Sequence, residues 1–288
     1  MEIDRIGIVG LGLIGGSIGL ELQNKGYEVY GLVNKSKTAE RAKERGLAQT
    51  ISTNPNILSN CSMVILAIPL EQLINPTSEL VHALPENAVI TDVGSVKKHL
   101  IDSLLPILPS DVYFVPGHPI AGTEKSGPEA GFAELFNGRW CILTPNKNTS
   151  QVALEKVKFI WEQAGMQIAT MDAEYHDRVL AITSHIPHLV AFSIVGTVTE
   201  LEDQLKTEVI KYSAGGFRDF TRIAASDPIM WRDVFLNNSE AVLEMLGRFI
   251  EDLTALQKSI RWQDGDSLEN LFTKTREIRK GIISEEQD

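Results

Sequence analysis

Ile6-Gly7-Ile8-Val9-Gly10-Leu11-Gly12-Leu13-Ile14-Gly15-Gly16-Ser17-Ile18-Gly19-Leu20-Glu21-Leu22 is the stretch that decides the fold. Ile6–Val9 reads as a buried strand and Gly16–Leu22 as a helix. Between them stands G-x-G-x-x-G, at Gly10, Gly12 and Gly15. A strand before and a helix after are the setting in which this pattern has weight. The glycines let the backbone turn tightly and approach a pyrophosphate, whose charge the helix N-terminus favours. The alternative is a glycine-rich structural turn. The dinucleotide reading makes Gly10, Gly12, Leu13, Ile14 and Gly15 cofactor contacts.

The second strand, Glu28–Val33, ends where an NAD-binding chain usually carries an acid for the ribose 2′-hydroxyl. Here the residues are Asn34, Lys35, Ser36 and Lys37, with Arg41 beyond. No carboxylate stands at the strand end, and two lysines with two polar side chains suit a 2′-phosphate. That pattern favours NADP over NAD; a solvated basic loop is the plain alternative. Met63–Pro69 is a continuous apolar strand, as burial on both faces requires, and Ile68 and Pro69 end it at the cofactor edge. A helix over 71–83 follows, then a strand over 88–92. Ser95 either caps a helix over 96–104 or faces the cofactor crevice, and one hydroxyl can do both. Further strands are expected at Tyr113–Val115, Trp140–Pro145 and Met166–Thr170, with a helix over 152–164. About eight strands alternating with helices make an α/β, doubly wound, mostly parallel sheet.

After Met171 the strand signals stop, so the chain divides into a Rossmann domain, 1–171, and an all-α domain, 172–288. A helix over 172–205 carries Ser184-His185-Ile186-Pro187-His188-Leu189, where Pro187 should kink it. His185 and His188 could share a face as a hydrogen-bonded pair, a metal pair, or a pair of which one lines the interdomain cleft; no carboxylate stands at helical spacing beside them, so no metal is expected. Arg222 is either an anion-binding guanidinium or the partner of Asp219. Asp227-Pro228 starts a long helix to about Ile260, with Ser226 or Asp227 as N-cap. So long a helix in so small a domain suggests packing on a second subunit. A last helix is expected over 267–283, before a polar tail.

Composition narrows the classes. The chain has 288 residues and 43% hydrophobic content, enough for one large or two ordinary domains. A net charge of −11 without a basic run argues against nucleic acid. Cys61 and Cys141 make no disulfide framework. No signal peptide is read at Met1–Arg5, and no apolar run reads as a membrane span. The expected setting is the cytoplasm.

Gly117-His118-Pro119-Ile120-Ala121-Gly122-Thr123-Glu124-Lys125-Ser126-Gly127 remains. It follows a short buried strand, and a loop there is where an α/β enzyme places its chemistry. His118 is a candidate base or only a turn residue beside Pro119.

Five motifs in order, GLGLIGGS (10–17), TDVGSVK (91–97), GHPIAGTEKSG (117–127), SHIPHL (184–189) and GFRDFTRIAASDPIMW (216–231), resemble those of the prephenate/arogenate dehydrogenase family over nearly the whole length. The resemblance implies a Rossmann domain, a helical dimerisation domain and an active site between them. It implies that His118 accepts the ring-hydroxyl proton, that Ser95 hydrogen-bonds His118 and the substrate, and that Arg222 holds a substrate carboxylate. It also implies His188 near the ring, Glu124 at the cleft and Trp231 near the dimer interface. Hydride leaves the hydroxyl-bearing carbon for a nicotinamide, and loss of CO2 makes the ring aromatic without a metal.

The basic second-strand end is similar to NADP-using, arogenate-using members, which makes L-arogenate the expected substrate and prephenate the alternative. A β-hydroxyacid dehydrogenase is less suited, because the central interdomain helix offers histidines rather than a lysine. A non-catalytic NADP sensor would need no base, hydroxyl and arginine together.

Overall fold

Parallel pairing begins at the fingerprint. In a computed structural model, which describes residues 3–201, 208, 209, 211, 212 and 215–284, β1 (Arg5–Val9) pairs with β2 (Glu28–Leu32) on one side and β4 (Met63–Leu66) on the other. With β3 (Thr50–Ser52), β5 (Val89–Asp92) and β6 (Tyr113–Val115), the order is β3-β2-β1-β4-β5-β6, all parallel. This is the doubly wound half expected from the strand–helix alternation. The order reverses between β1 and β4, and there the loops after both strands open a crevice. Helices α1 (Leu13–Asn24), α2 (Ser36–Glu44), α3 (Leu70–Ile74), α4 (Ser78–His82) and α5 (Lys98–Leu104) follow strands of this sheet.

Four readings of this half change. The sheet is not one piece: β7 (Gly117–Pro119), β8 (Trp140–Leu143) and β9 (Gln167–Thr170) form a second, three-stranded sheet, with α6 (Gln151–Gln163) between β8 and β9. His118 therefore stands in a short strand, antiparallel to β8 opposite Ile142, and not in a loop. The helix expected over 71–83 is two short ones, parted at Asn75-Pro76-Thr77, where Pro76 has no N–H to continue the first and Thr77 caps the second. β4 ends at Leu66, so Ile68 and Pro69 lie in the turn and not in the strand.

Two apolar clusters flank the large sheet. One joins Ile6, Ile8, Ile18, Leu22 and Trp161 and contains Cys141. The other joins Val9, Val64, Ile90, Leu100 and Phe114, contains Cys61, and takes in Trp231 and Val234 from the helical half. The helical half thus docks by burying two of its side chains in the core of the first.

The helical half opens at Asp172, whose carboxylate caps α7 (Ala173–Leu180) by accepting from Glu174 and Tyr175 N–H. One π turn, Ala181–His185, leads into α8 (Ile186–Thr199). The expected kink at Pro187 is absorbed by that wider turn, which accommodates a ring that cannot donate. The run Ala173–Thr199 corrects the reading that no apolar stretch approaches a membrane-spanning length, because by length and composition it does. It is nonetheless a helix that turns His176, Asp177 and His185 into the protein, all buried. α8 ends at Thr199 with Glu200 as its C-cap, short of the expected Leu205; residues 202–207 and the tail 285–288 lie outside the described residues.

Asp227 is the N-cap and Pro228 the first residue of the next helix, as expected, but this helix ends at Asn237 and a second runs Ser239–Arg261. The break is at Asn238, whose buried amide turns inward to donate to the Asp177 carbonyl at 2.9 Å. The last helix is Gly265–Ser284.

Candidate active site

The cradle comes first. Gly10 has φ +90°, and a Cβ there would lie 2.3 Å from the Ala67 carbonyl oxygen, so the turn after β1 presses directly on the turn after β4. A Cβ on Gly15 would lie 1.8 Å from the Gly10 carbonyl oxygen. At Gly12 a Cβ meets nothing within 4 Å. Gly12 is also the N-cap of α1 and supplies no side-chain cap, and the first helical bond is Gly16 N–H to Gly12 C=O. The amides of Leu13, Ile14 and Gly15 therefore precede the helical ladder, beside open space, which fits the pyrophosphate of a dinucleotide. Ile68 packs against Gly10 across this crevice, and Pro69 starts α3.

Beyond β2, Asn34, Lys35, Ser36 and Lys37 are all exposed, with Lys35 at the N-cap of α2 and Ser36 and Lys37 in its first turn. Arg41 is engaged by Glu129.

The catalytic candidates are held by charges that sequence reading passed over. Asp92 ends β5 and Lys97 precedes α5; both side chains are fully buried and pair at 2.5 Å. Lys97 Nζ also donates to the Gly117 carbonyl at 2.6 Å, and Asp92 Oδ1 accepts from Gly117 N–H at 3.1 Å. One buried ion pair thus grips both backbone groups of the residue before His118. Only good geometry and added hydrogen bonds make such a pair tolerable away from water.

His118 is buried, 8% exposed. Its Nδ1 lies 2.9 Å from Nε2 of His176, whose Nδ1 lies 2.8 Å from Asp177 Oδ1. Asp177 further accepts from Lys97 N–H through Oδ1 and Lys98 N–H through Oδ2, each at 2.8 Å. Ser95 is not the cap of α5, which begins at Lys98; a carboxylate from the helical half satisfies its first amides instead. No hydrogen bond of Ser95 to His118 forms among the described residues; His176 is the partner of the ring. Burial drives the pKa of His118 well below the ordinary histidine value, and nearby His176, Lys97 and His185 add to the effect. His118 is a neutral imidazole at neutral pH, as a base must be.

On the facing side, His188 stacks on Trp231 with ring centroids 3.7 Å apart, and His185 meets the same indole edge-on at 5.9 Å. The two histidines do share a face, but each has its own partner. His188 Nδ1 donates to the Ser184 carbonyl at 2.9 Å, and His185 Nδ1 lies 3.1 Å from Asn238 Nδ2. Trp231 is 6% exposed, not at a surface, and its Nε1 has no partner among the described residues. Arg222 is exposed, and its ion-pair partner is Glu124, at 3.6 Å, not Asp219. Its charge helps hold the His188 pKa down, after burial. The residues singled out in the two halves are thereby brought to one interface: His118 and Glu124 from the first, His188, Arg222 and Trp231 from the second.

Asp92, Lys97, His176, Asp177 and Asn238 went unassigned in the sequence. Asp92 and Lys97 had a signal, two opposite charges in an otherwise apolar motif beside a buried strand. His176 and Asp177 had none, because a polar pair within a short helix reads as solvated.

Comparison with known proteins agrees with this geometry. Residues 18–170 match the prephenate dehydrogenase nucleotide-binding domain, and residues 172–274 the prephenate dehydrogenase dimerization domain. Cyclohexadienyl dehydrogenase of Zymomonas mobilis is 39% identical over 281 residues, covering 96% of each chain. The crystal structure of prephenate dehydrogenase from Aquifex aeolicus in complex with hydroxyphenyl propionate and NAD+ is 36% identical, with a TM-score of 0.90, covering 98% of this chain and 99% of that one. Synechocystis arogenate dehydrogenase is 27% identical, with a TM-score of 0.81 over 96% and 99% of the two chains. The two domain matches meet at the boundary between the doubly wound and helical halves, and the chain belongs to the prephenate dehydrogenase family.

Proposed function

We propose that the chain carries out the NADP-dependent oxidative decarboxylation of L-arogenate to L-tyrosine, in the cytoplasm, as a homodimer joined through its C-terminal helices. The observation that carries the reading is His118, a buried neutral imidazole held by a buried ion pair next to the strand ends of a dinucleotide fold. A bound nicotinamide supplies the hydride acceptor. His118 Nε2 takes the proton of the ring hydroxyl. Arg222, released from Glu124 or shared with it, holds a substrate carboxylate. Trp231 Nε1, a buried donor without a partner among the described residues, and His188 stacked on it line the ring site. Ser95 contacts the substrate from the turn between β5 and α5. The division falls between Met171 and Asp172, and neither nucleic acid nor membrane is a partner.

For the cofactor, the exposed Lys35 and Lys37 beyond β2, with no carboxylate at the strand end, support a 2′-phosphate contact shared with Asn34 and Ser36. Prephenate, giving 4-hydroxyphenylpyruvate, is the second reading, favoured by the prephenate dehydrogenase found among the similar structures with NAD+ bound. The test is the initial rate of nicotinamide reduction, followed by absorbance, with each substrate paired with each cofactor. Fastest turnover with arogenate and NADP is expected. Turnover with prephenate and NAD alone would remove the readings of Lys35 and Lys37 and of the substrate, and no turnover with any pair would remove the reaction.

A further inference from the structure

His118 has two ring nitrogens, and only one of them can be the base. Which one carries the proton is set by what the other atoms of the network can do. Asp177 accepts backbone amides at both oxygens, from Lys97 at Oδ1 and Lys98 at Oδ2. Toward His176 Nδ1, 2.8 Å away, it is an acceptor again, so His176 carries its proton on Nδ1. Burial lowers the His176 pKa, so that ring is neutral and its Nε2 is bare. The only way to join a bare His176 Nε2 to His118 Nδ1 at 2.9 Å is for His118 Nδ1 to donate. This tautomer is assigned from the network.

Resting on the reading of His118 as base, we infer that His176 and Asp177 are positioning residues for the reaction: they fix the proton of neutral His118 on Nδ1 and so leave Nε2 as the acceptor for the substrate hydroxyl. Asp177 reaches His118 only through His176 and touches no reacting atom. Both residues sit in the first helix of the helical half, and His118 in the other half. Two side chains of α7 thus set the proton placement of a base on β7, and Asp177 caps α5 with the same carboxylate. Asn238 holds this corner by donating to the Asp177 carbonyl. When His118 gains the substrate proton, His176 Nε2 is already in place to receive the Nδ1–H hydrogen bond of the imidazolium, the part played by the aspartate in a serine-protease triad.

The direct test reads the tautomer without any substrate. In the intact protein with histidine labelled by nitrogen-15, the ring nitrogens of His118 are identified by their loss in His118→Asn. A protonated Nδ1 and a bare Nε2 are expected; a protonated Nε2 on His118 overturns the inference. Kinetics give the second reading. His176→Gln keeps an amide donor toward Asp177 and an oxygen acceptor toward His118, whereas His176→Phe keeps neither. We expect His176→Phe to lower kcat by at least about 100-fold, with KM for the cofactor little changed, and His176→Gln to recover most of that loss. Equal kcat in the two variants, whether both high or both low, overturns it. If instead His118→Asn leaves turnover intact, the reading of His118 as base fails, and the nitrogen spectrum still decides the tautomer.

Discussion

At the scale of single residues, the site depends on keeping a buried histidine uncharged. Burial makes the imidazolium costly, so His118 protonates only well below the ordinary histidine value. The base should remain competent as pH falls to about 6.5 and below, where an exposed histidine would already be half protonated. A pH profile of kcat/KM whose acid limb breaks at or above that value, and is absent in a control lacking His118, would contradict it. His118→Asn should cut kcat by about 100- to 10,000-fold while leaving cofactor affinity, measured by nicotinamide fluorescence, unchanged. Arg222→Gln should act on KM for the substrate, raising it by roughly one to two orders of magnitude with a smaller change in kcat, because a charge-assisted bond to carboxylate is lost. Equal KM values would return Arg222 to a surface pair with Glu124, of little energetic weight.

At the scale of elements, the strands and helices that announce themselves by period and punctuation were readable, and those built by tertiary demand were not. The fingerprint, β1, β2, β4, β5 and α6 follow from unbroken apolar runs and glycine or serine punctuation. β7 did not, because three residues, Gly117-His118-Pro119, have no period, and only the partner Cys141–Leu143 makes them a strand. The break at Asn238 was hidden inside an uninterrupted helical pattern; it exists because the Asn238 side chain is needed at Asp177 and His185. The candidate residues His118, His188, Glu124, Arg222 and Trp231 could be named in advance, whereas the buried charges that hold the first of them could not. The Asp92–Lys97 pair gives an element-scale prediction. Lys97→Met leaves a buried carboxylate without its cation and frees the Gly117 carbonyl, so it should cost about 3–5 kcal/mol in a denaturant titration. The double change Asp92→Asn with Lys97→Met should be less harmful than Lys97→Met alone, and if it is worse the clamp has been misread.

At the scale of the whole molecule, acid should loosen the protein through its buried histidines. His185 is pushed down to about 4 by burial. A folded pKa below the unfolded one means that stability is fully present above about pH 6.5 and is lost as pH falls from there toward about 4, on the order of 3 kcal/mol for this ring alone. His118, His176 and His188 shift in the same direction and add to the slope. Urea midpoints that stay level across that window would refute the assignment. The helix Ser239–Arg261 leaves Leu243, Ile250, Leu253 and Ile260 exposed at spacings of seven, three and seven residues, which keep to one face of the helix, and Phe272 and Ile278 are exposed on the helix after it. Such a stripe on a family dimerization domain is the expected seam between two copies, so Leu253→Asp with Ile250→Asp should halve the mass seen by sedimentation. The two cysteines lie in separate apolar clusters on opposite faces of the large sheet, both reduced and buried. Burial lifts the Cys61 thiol to about 11, and lifts Cys141 further. Neither sulfur is a ready nucleophile in the native fold, so each becomes a timer for the loosening of its own face. Pulsed alkylation followed by mass spectrometry would read both at once, separating an opening around β1 at Gly7, beside Cys61, from an opening of the short sheet that carries His118, where Cys141 pairs with Pro119.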